Sequence, residues 1–256
     1  MEFLYQNKSI FYELRGRGQT TLLLHGYMET VTMWDFLTPQ LSEHGQVLAI
    51  DLPGHGGSEM LEQELSMENM AMMVKALLDN LQIDSVSVCG HSMGGYVALS
   101  LADLYPKLVS KLVLYHSTAF SDSEQIMNRR KIGIKLLEEA PKTAIKASFA
   151  KLFHSHEGFE EHITFYISEA LKGDFEAYKS CNIGMANRKD LGEVLYYNRP
   201  TFIIAGRKDP VVREEDSQKQ MNFLGPNDSF WLEKSGHMSY VEEMELSRSI
   251  LLAILP

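Results

Sequence analysis

The chain has 256 residues, 45% of them hydrophobic and 23% charged, which is long enough for a full α/β core and too apolar for disorder. A formal net charge of -10 argues against nucleic acid and anionic membrane surfaces as partners. Met1–Gln6 lacks the basic region and apolar stretch of a signal peptide, no run approaches the ~20 apolar residues of a bilayer span, and Cys89 and Cys181 read as reduced thiols, so a cytoplasmic protein is expected.

Ser9–Glu13 reads as a strand, followed by a turn at Gly16–Gly18. Thr21–Leu24 is a continuous apolar run, as a buried strand should be, and ends at His25-Gly26. Met33–Glu43 has helical character, and Gln46–Ile50 is the next strand. Ser66 is placed to cap a helix reaching about Leu81, with Met70, Met73, Val74, Leu77, Leu78 and Leu81 on one face. A strand at Val86–Cys89, a turn, a helix over Met93–Leu104 and a strand at Lys111–Tyr115 follow. Strand and helix in alternation mean crossover units and a parallel sheet.

The alternation then stops. No strand is apparent between Ser117 and Tyr197, whereas Gln125–Leu137, Ala144–Phe153 and Phe159–Leu171 read as helices. It resumes with a strand at Thr201–Ala205, a helix over Glu214–Phe223, a strand at Ser229–Leu232 and a helix over Tyr240–Leu255. The expected division is a core of residues 1–117 and 198–256 with a helical cap of residues 118–197. Such an insertion lies over the carboxyl ends of the strands, where open α/β sheets bind ligands. Phe120, Met127, Ile134, Phe149, Phe153, Phe165, Tyr166, Tyr178 and Met185 are its apolar candidates for a pocket wall.

Gly90-His91-Ser92-Met93-Gly94-Gly95 sits between a strand and a helix, the context in which G-x-S-x-G makes a nucleophile turn. Glycines on either side of Ser92 remove side chains that would collide across so tight a bend. A serine hydroxyl needs a base, and His237 lies in the loop after the last strand. The base needs an orienting acid, and Asp209 follows the strand Thr201–Ala205. Asp209 also fits a turn-capping role, and Asp216 is the neighbouring alternative, inside a helix. In a parallel sheet all these loops share one edge, and the order Ser92, Asp209, His237 is the one this architecture uses. The backbone N–H groups of Tyr27 and Met93 are the candidate oxyanion donors. His116 is a possible pocket residue, His25 a structural hydrogen-bonding residue, and Asp51 to Ser58 a fixed turn.

These motifs resemble the α/β-hydrolase superfamily across nearly the whole chain: His25-Gly26-Tyr27, Asp51-Leu52-Pro53-Gly54-His55-Gly56-Gly57-Ser58, the Ser92 turn, Gly206-Arg207-Lys208-Asp209-Pro210 and Gly236-His237. The resemblance implies a mostly parallel eight-stranded sheet flanked by helices, with a helical cap after the sixth strand. It also implies a capped serine hydrolase that needs no metal and no organic cofactor. The family's haloalkane dehalogenases and epoxide hydrolases carry aspartate where this chain has Ser92. Cleavage of a small, largely uncharged carboxylic ester is the first expectation, with a small molecule as the only implied partner. C–C bond hydrolysis, or a lyase reaction like that of the menaquinone-pathway enzyme, is the alternative. A non-catalytic receptor is the third, disfavoured by the complete triad. The oligomeric state is not legible.

Overall fold

A computed structural model describes residues 1–197 and 199–256. Asn198, where the second core segment is expected to begin, lies outside the described residues. Strands β1 (Glu2–Tyr5), β2 (Lys8–Arg15), β3 (Thr20–Leu24), β4 (Gln46–Ile50), β5 (Val86–His91), β6 (Val109–Tyr115), β7 (Thr201–Gly206) and β8 (Ser229–Leu232) form one eight-stranded sheet. Its order is β1-β2-β4-β3-β5-β6-β7-β8. β1 and β2 run antiparallel to their neighbours, and every pairing from β4 to β8 is parallel.

The expected strands are all present, and β1 is an addition. It pairs with β2 through the two-residue turn Gln6-Asn7, both with positive φ, 49° and 63°. That is the hairpin turn whose twist matches its strands. The four residues of β1 are too few to announce a strand by their pattern alone.

Adjacent residues of the central strands face opposite layers. Leu22, Leu24, Leu48, Ile50, Val88, Leu112 and Leu114 pack on one face, against α2 (Met67–Asn80) and α3 (Met93–Leu104). Leu23, Val47, Ala49, Cys89, Val113 and Tyr115 pack on the other, with Trp34, Leu41, Leu251 and Ile254. α2 is capped as expected, with the Asn69 N–H donating to Ser66 Oγ at 3.1 Å. Its Val74, Leu77 and Leu78 are fully buried, each contributing roughly 1.5–3 kcal/mol. The helical segment expected over Met33–Glu43 is a 3-10 turn, Val31–Trp34, and a short helix α1 (Thr38–Leu41).

Among the described residues, four α-helices stand between β6 and β7, α4 (Glu124–Glu139), α5 (Pro141–Ala150), α6 (Glu160–Ala170) and α7 (Phe175–Ala186), followed by a 3-10 turn, Gly192–Tyr196. α7 was not legible as a helix. It begins at Asp174, whose carboxylate accepts from the Glu176 N–H at 2.9 Å, and it carries Gly184 where the backbone of Leu65 and Ser66 approaches too closely for a side chain. Helix α8 (Glu214–Met221) follows β7, and the single helix expected over Tyr240–Leu255 is broken into α9 (Ser239–Glu242) and α10 (Met244–Ile254). Among the described residues, no helix is long and apolar enough to cross a membrane.

Candidate active site

β5 hands directly to α3 through Ser92, whose φ of 49° and ψ of -115° are a strained combination for a residue with a side chain. Three contacts hold it there. The Ser92 N–H donates to the Tyr115 carbonyl at 2.9 Å, and the Ser92 carbonyl accepts from the Gly95 N–H at 3.0 Å and from Ser117 Oγ at 2.8 Å. A Cβ on Gly94 would run into the carbonyls of Leu24 and His25, so backbone alone fits where the turn crosses β3.

The structure brings Ser92, His237 and Asp209 together. Ser92 Oγ donates to His237 Nε2 at 2.9 Å, and His237 Nδ1 donates to Asp209 Oδ2 at 2.8 Å. His237 is held from two sides: its N–H donates to the Leu152 carbonyl just beyond α5 at 2.9 Å, and its carbonyl accepts from His91 Nε2 at 3.1 Å. Burial disfavours the charged imidazolium, but Asp209 beside it outweighs this and holds His237 above the ordinary histidine value of 6.5. Burial likewise works against the Asp209 carboxylate, yet His237 and His116 keep it well below the usual carboxylate range.

Asp209 makes contacts of both kinds its sequence context allowed. Oδ1 accepts from the N–H groups of Val211 and Val212 at 2.7 and 3.0 Å, an Asp-Pro turn, while Oδ2 faces the histidines. Asp216 instead pairs with Arg213 at 2.9 Å. His116 does not line the pocket. It is buried, with Nδ1 donating to Asp209 Oδ2 at 2.9 Å and Nε2 accepting from Ser239 Oγ at 2.7 Å; Ser239 in turn accepts from the Tyr115 hydroxyl at 2.7 Å. Burial pushes His116 down to about 4, which fits the neutral ring these bonds require. Ligand atoms of His116, Asp209 and His237 lie within 4.8 Å of one another. Both Nδ1 atoms direct a proton at the same carboxylate oxygen, so the trio is spent on hydrogen bonds, with no pair of ring lone pairs converging for a metal.

A second buried acid–imidazole pair lies close to Ser92. Glu29 Oε2 accepts from the Gly26 N–H at 2.6 Å and from His91 Nδ1 at 2.9 Å, and Oε1 accepts from the Tyr240 hydroxyl at 3.0 Å. Burial pushes the Glu29 carboxyl up, but His91 and the other donors outweigh it and hold it at about 2. A Cβ on Gly26 would sit 2.5 Å from Glu29 Oε2 and 2.8 Å from His91 Nδ1, so glycine is required to admit the pair. His25 is structural as expected, its Nε2 accepting from the Leu52 N–H at 2.8 Å, and Asp51 accepts from Val31 and Gly57 N–H groups at 2.7 and 2.8 Å. The Tyr27 and Met93 N–H groups donate to no group among the described residues.

A cavity of about 90 Å³ opens on Ser92 and His237, and of the apolar candidates between β6 and β7 only Phe149 and Met185 line it. Phe165 faces outward, 47% exposed. Sequence reasoning missed three residues: Glu29, His91 as its partner, and Arg130, which also lines this cavity. Arg130 had a signal. Met127, Arg130, Ile134 and Leu137 share a helical face, and a cation on an apolar stripe calls for a reason.

Residues 21–131 match the family described as alpha/beta hydrolase fold. The dihydrolipoyllysine-residue acetyltransferase component of the acetoin cleaving system of Pseudomonas putida is 32% identical over 256 residues, 96% of this chain. The chain spans 66% of that protein's length. The uncharacterized hydrolase YugF of Bacillus subtilis is 26% identical over 270 residues, covering 95% of this chain and 93% of the relative. A thermophilic esterase from Thermogutta terrifontis superposes with a TM-score of 0.89 at 24% identity, covering 98% of this chain and 96% of that one. The sheet order, the strained serine between β5 and α3 and these likenesses agree: the chain belongs to the α/β-hydrolase superfamily.

Proposed function

We propose that this protein is a serine hydrolase that cleaves a carboxylic ester through an acyl-enzyme on Ser92, with residues 118–197 acting as a cap over the site. One observation carries the reading: the unbroken line from Ser92 Oγ to His237 Nε2 at 2.9 Å and from His237 Nδ1 to Asp209 at 2.8 Å. As Ser92 Oγ attacks the acyl carbon, its proton passes to His237 Nε2, and the new imidazolium is stabilised by Asp209. The N–H groups of Tyr27 and Met93 receive the negative charge that develops on the carbonyl oxygen. Collapse breaks the bond to the alcohol oxygen, which leaves with the proton from His237. Water then gives a proton to His237 and its oxygen to the acyl carbon, and Ser92 is regenerated as the acid departs. Likeness to an esterase and to a hydrolase of the same fold supports this direction.

The test is turnover of p-nitrophenyl butyrate by the wild-type protein and by Ser92→Ala. Ser92→Ala should lower kcat by roughly 10^5-fold or more, the scale on which triad serines act. Mass spectrometry of the wild type quenched with ester should show an acyl adduct on Ser92. Turnover that survives in Ser92→Ala, or no adduct at all, would sink the ester reading; the second outcome would favour C–C hydrolysis or a lyase reaction by the same three residues.

A further inference from the structure

Two adjoining cavities lead to Ser92. The inner one, about 90 Å³, holds Ser92, His237 and Arg130; the outer one, about 500 Å³, shares Tyr27, Met28 and Ser148 with it and adds Arg129 and Lys151. The chain as a whole carries a formal net charge of -10. Yet the charged side chains of these walls are three cations and one carboxylate, Glu29, whose oxygens are already taken by Gly26, His91 and Tyr240. An acidic protein has thus lined the approach to its nucleophile with positive charge, an arrangement that concentrates anions.

Arg130 is only partly neutralised. Its Nε donates to Asp122, while Nη1 makes long contacts of 3.3 Å to Asn182 Oδ1 and 3.4 Å to Met185 Sδ. Asp122 is shared, for Arg188 Nη1 donates to its other oxygen at 2.6 Å. Two guanidiniums therefore face one carboxylate, and the cluster keeps one excess positive charge. A guanidinium is built to bind a carboxylate, and one left beside a small cavity is completed by a ligand that brings one.

We propose that the site is specific for esters carrying a carboxylate held by Arg130, so that its preferred substrates are monoesters of short dicarboxylic acids. The proposal rests on the ester-hydrolase reading and narrows it, replacing the largely uncharged substrate expected from the sequence. Arg130 binds and orients; it exchanges no proton.

The experiment compares the p-nitrophenyl monoester of glutarate with p-nitrophenyl pentanoate, which has the same acyl length and no charge. Wild type should favour the glutarate monoester in kcat/KM by about 10- to 100-fold, the scale of a hydrogen-bonded charge pair. Arg130→Met should collapse that ratio, mainly through KM, and Arg130→Lys should restore part of it. A wild-type ratio near one, or a ratio unchanged by Arg130→Met, overturns the proposal. Glutarate binding to Ser92→Ala, measured by calorimetry, gives a readout that needs no turnover. Binding that is lost in the Ser92→Ala, Arg130→Met double variant supports the anion subsite; no binding, or binding indifferent to Arg130, overturns it. Failure of the wild type on both esters, with glutarate still bound through Arg130, counts against the ester chemistry alone.

Discussion

At the scale of the residue, the pair of His237 and Asp209 sets how the site answers to pH. In the proposed mechanism His237 accepts the Ser92 proton only when neutral. Burial lowers its pKa but Asp209 raises it further, to above 6.5. Hence kcat/KM should be full at alkaline pH and fall as pH drops through a midpoint above 6.5, seen in a pH profile with p-nitrophenyl butyrate. Stability runs the opposite way for this group: folded His237 holds its proton more tightly than the unfolded chain. Its contribution is complete below 6.5 and is lost as pH rises through the folded value. Glu29 and His91 form a separate case. Glu29 is a buried carboxylate whose oxygens are taken by the Gly26 N–H, His91 and the Tyr240 hydroxyl, and His91 also meets the His237 carbonyl. Glu29→Gln replaces a carboxylate accepting from three buried donors by an amide that can no longer satisfy them all, and should cost about 1–3 kcal/mol, read as a lower urea midpoint. Because His91 also grips the His237 carbonyl, the same variant should slow labelling of Ser92 by a fluorophosphonate.

At the scale of the element, the helices divide by how much they bury. α3 buries ten of its residues, from Met93 to Ala102, whereas α4 buries Leu137 and leaves Ile132 62% exposed. α7 belongs with α3: Ala177 lies against Gly54, the Tyr27 hydroxyl donates to the Tyr178 carbonyl at 2.9 Å, and the Leu65 N–H donates to Ser180 Oγ at 3.1 Å. Amide exchange should therefore be fastest in α4 and α6, slower in α7 and slowest in α3, checked by hydrogen exchange with mass spectrometry. Protection of α4 equal to that of α3 would contradict this ordering.

At the scale of the molecule, what was legible and what was not have separate physical causes. The sheet was legible because parallel strands must be buried on both faces, so Thr21–Leu24, Gln46–Ile50 and Val86–Cys89 are predominantly apolar runs, in which Thr21 and Ser87 are themselves buried. Ser92, Asp209 and His237 were legible because a parallel sheet gathers the loops after its strands along one edge. Pairing between those loops was not legible. Glu29 meets His91 across 62 residues and His116 meets Asp209 across 93, and nothing local in either segment announces its partner. The insertion between β6 and β7 shows the same contrast, since helical faces there answer to neighbours that only the fold supplies. It is fastened to the rest at α7 and at Leu152–His154, which take the Leu65 and His237 backbones, while α4 supplies the largest single share of the outer cavity wall and Arg130. Attachment thus rests on α7 and Leu152–His154, whereas the arginine proposed to hold the substrate stands on the less buried α4. On the proposed reading, a lineage or a protein engineer can rewrite the exposed face of α4 and alter the substrate range while leaving in place the Leu152 carbonyl that holds His237.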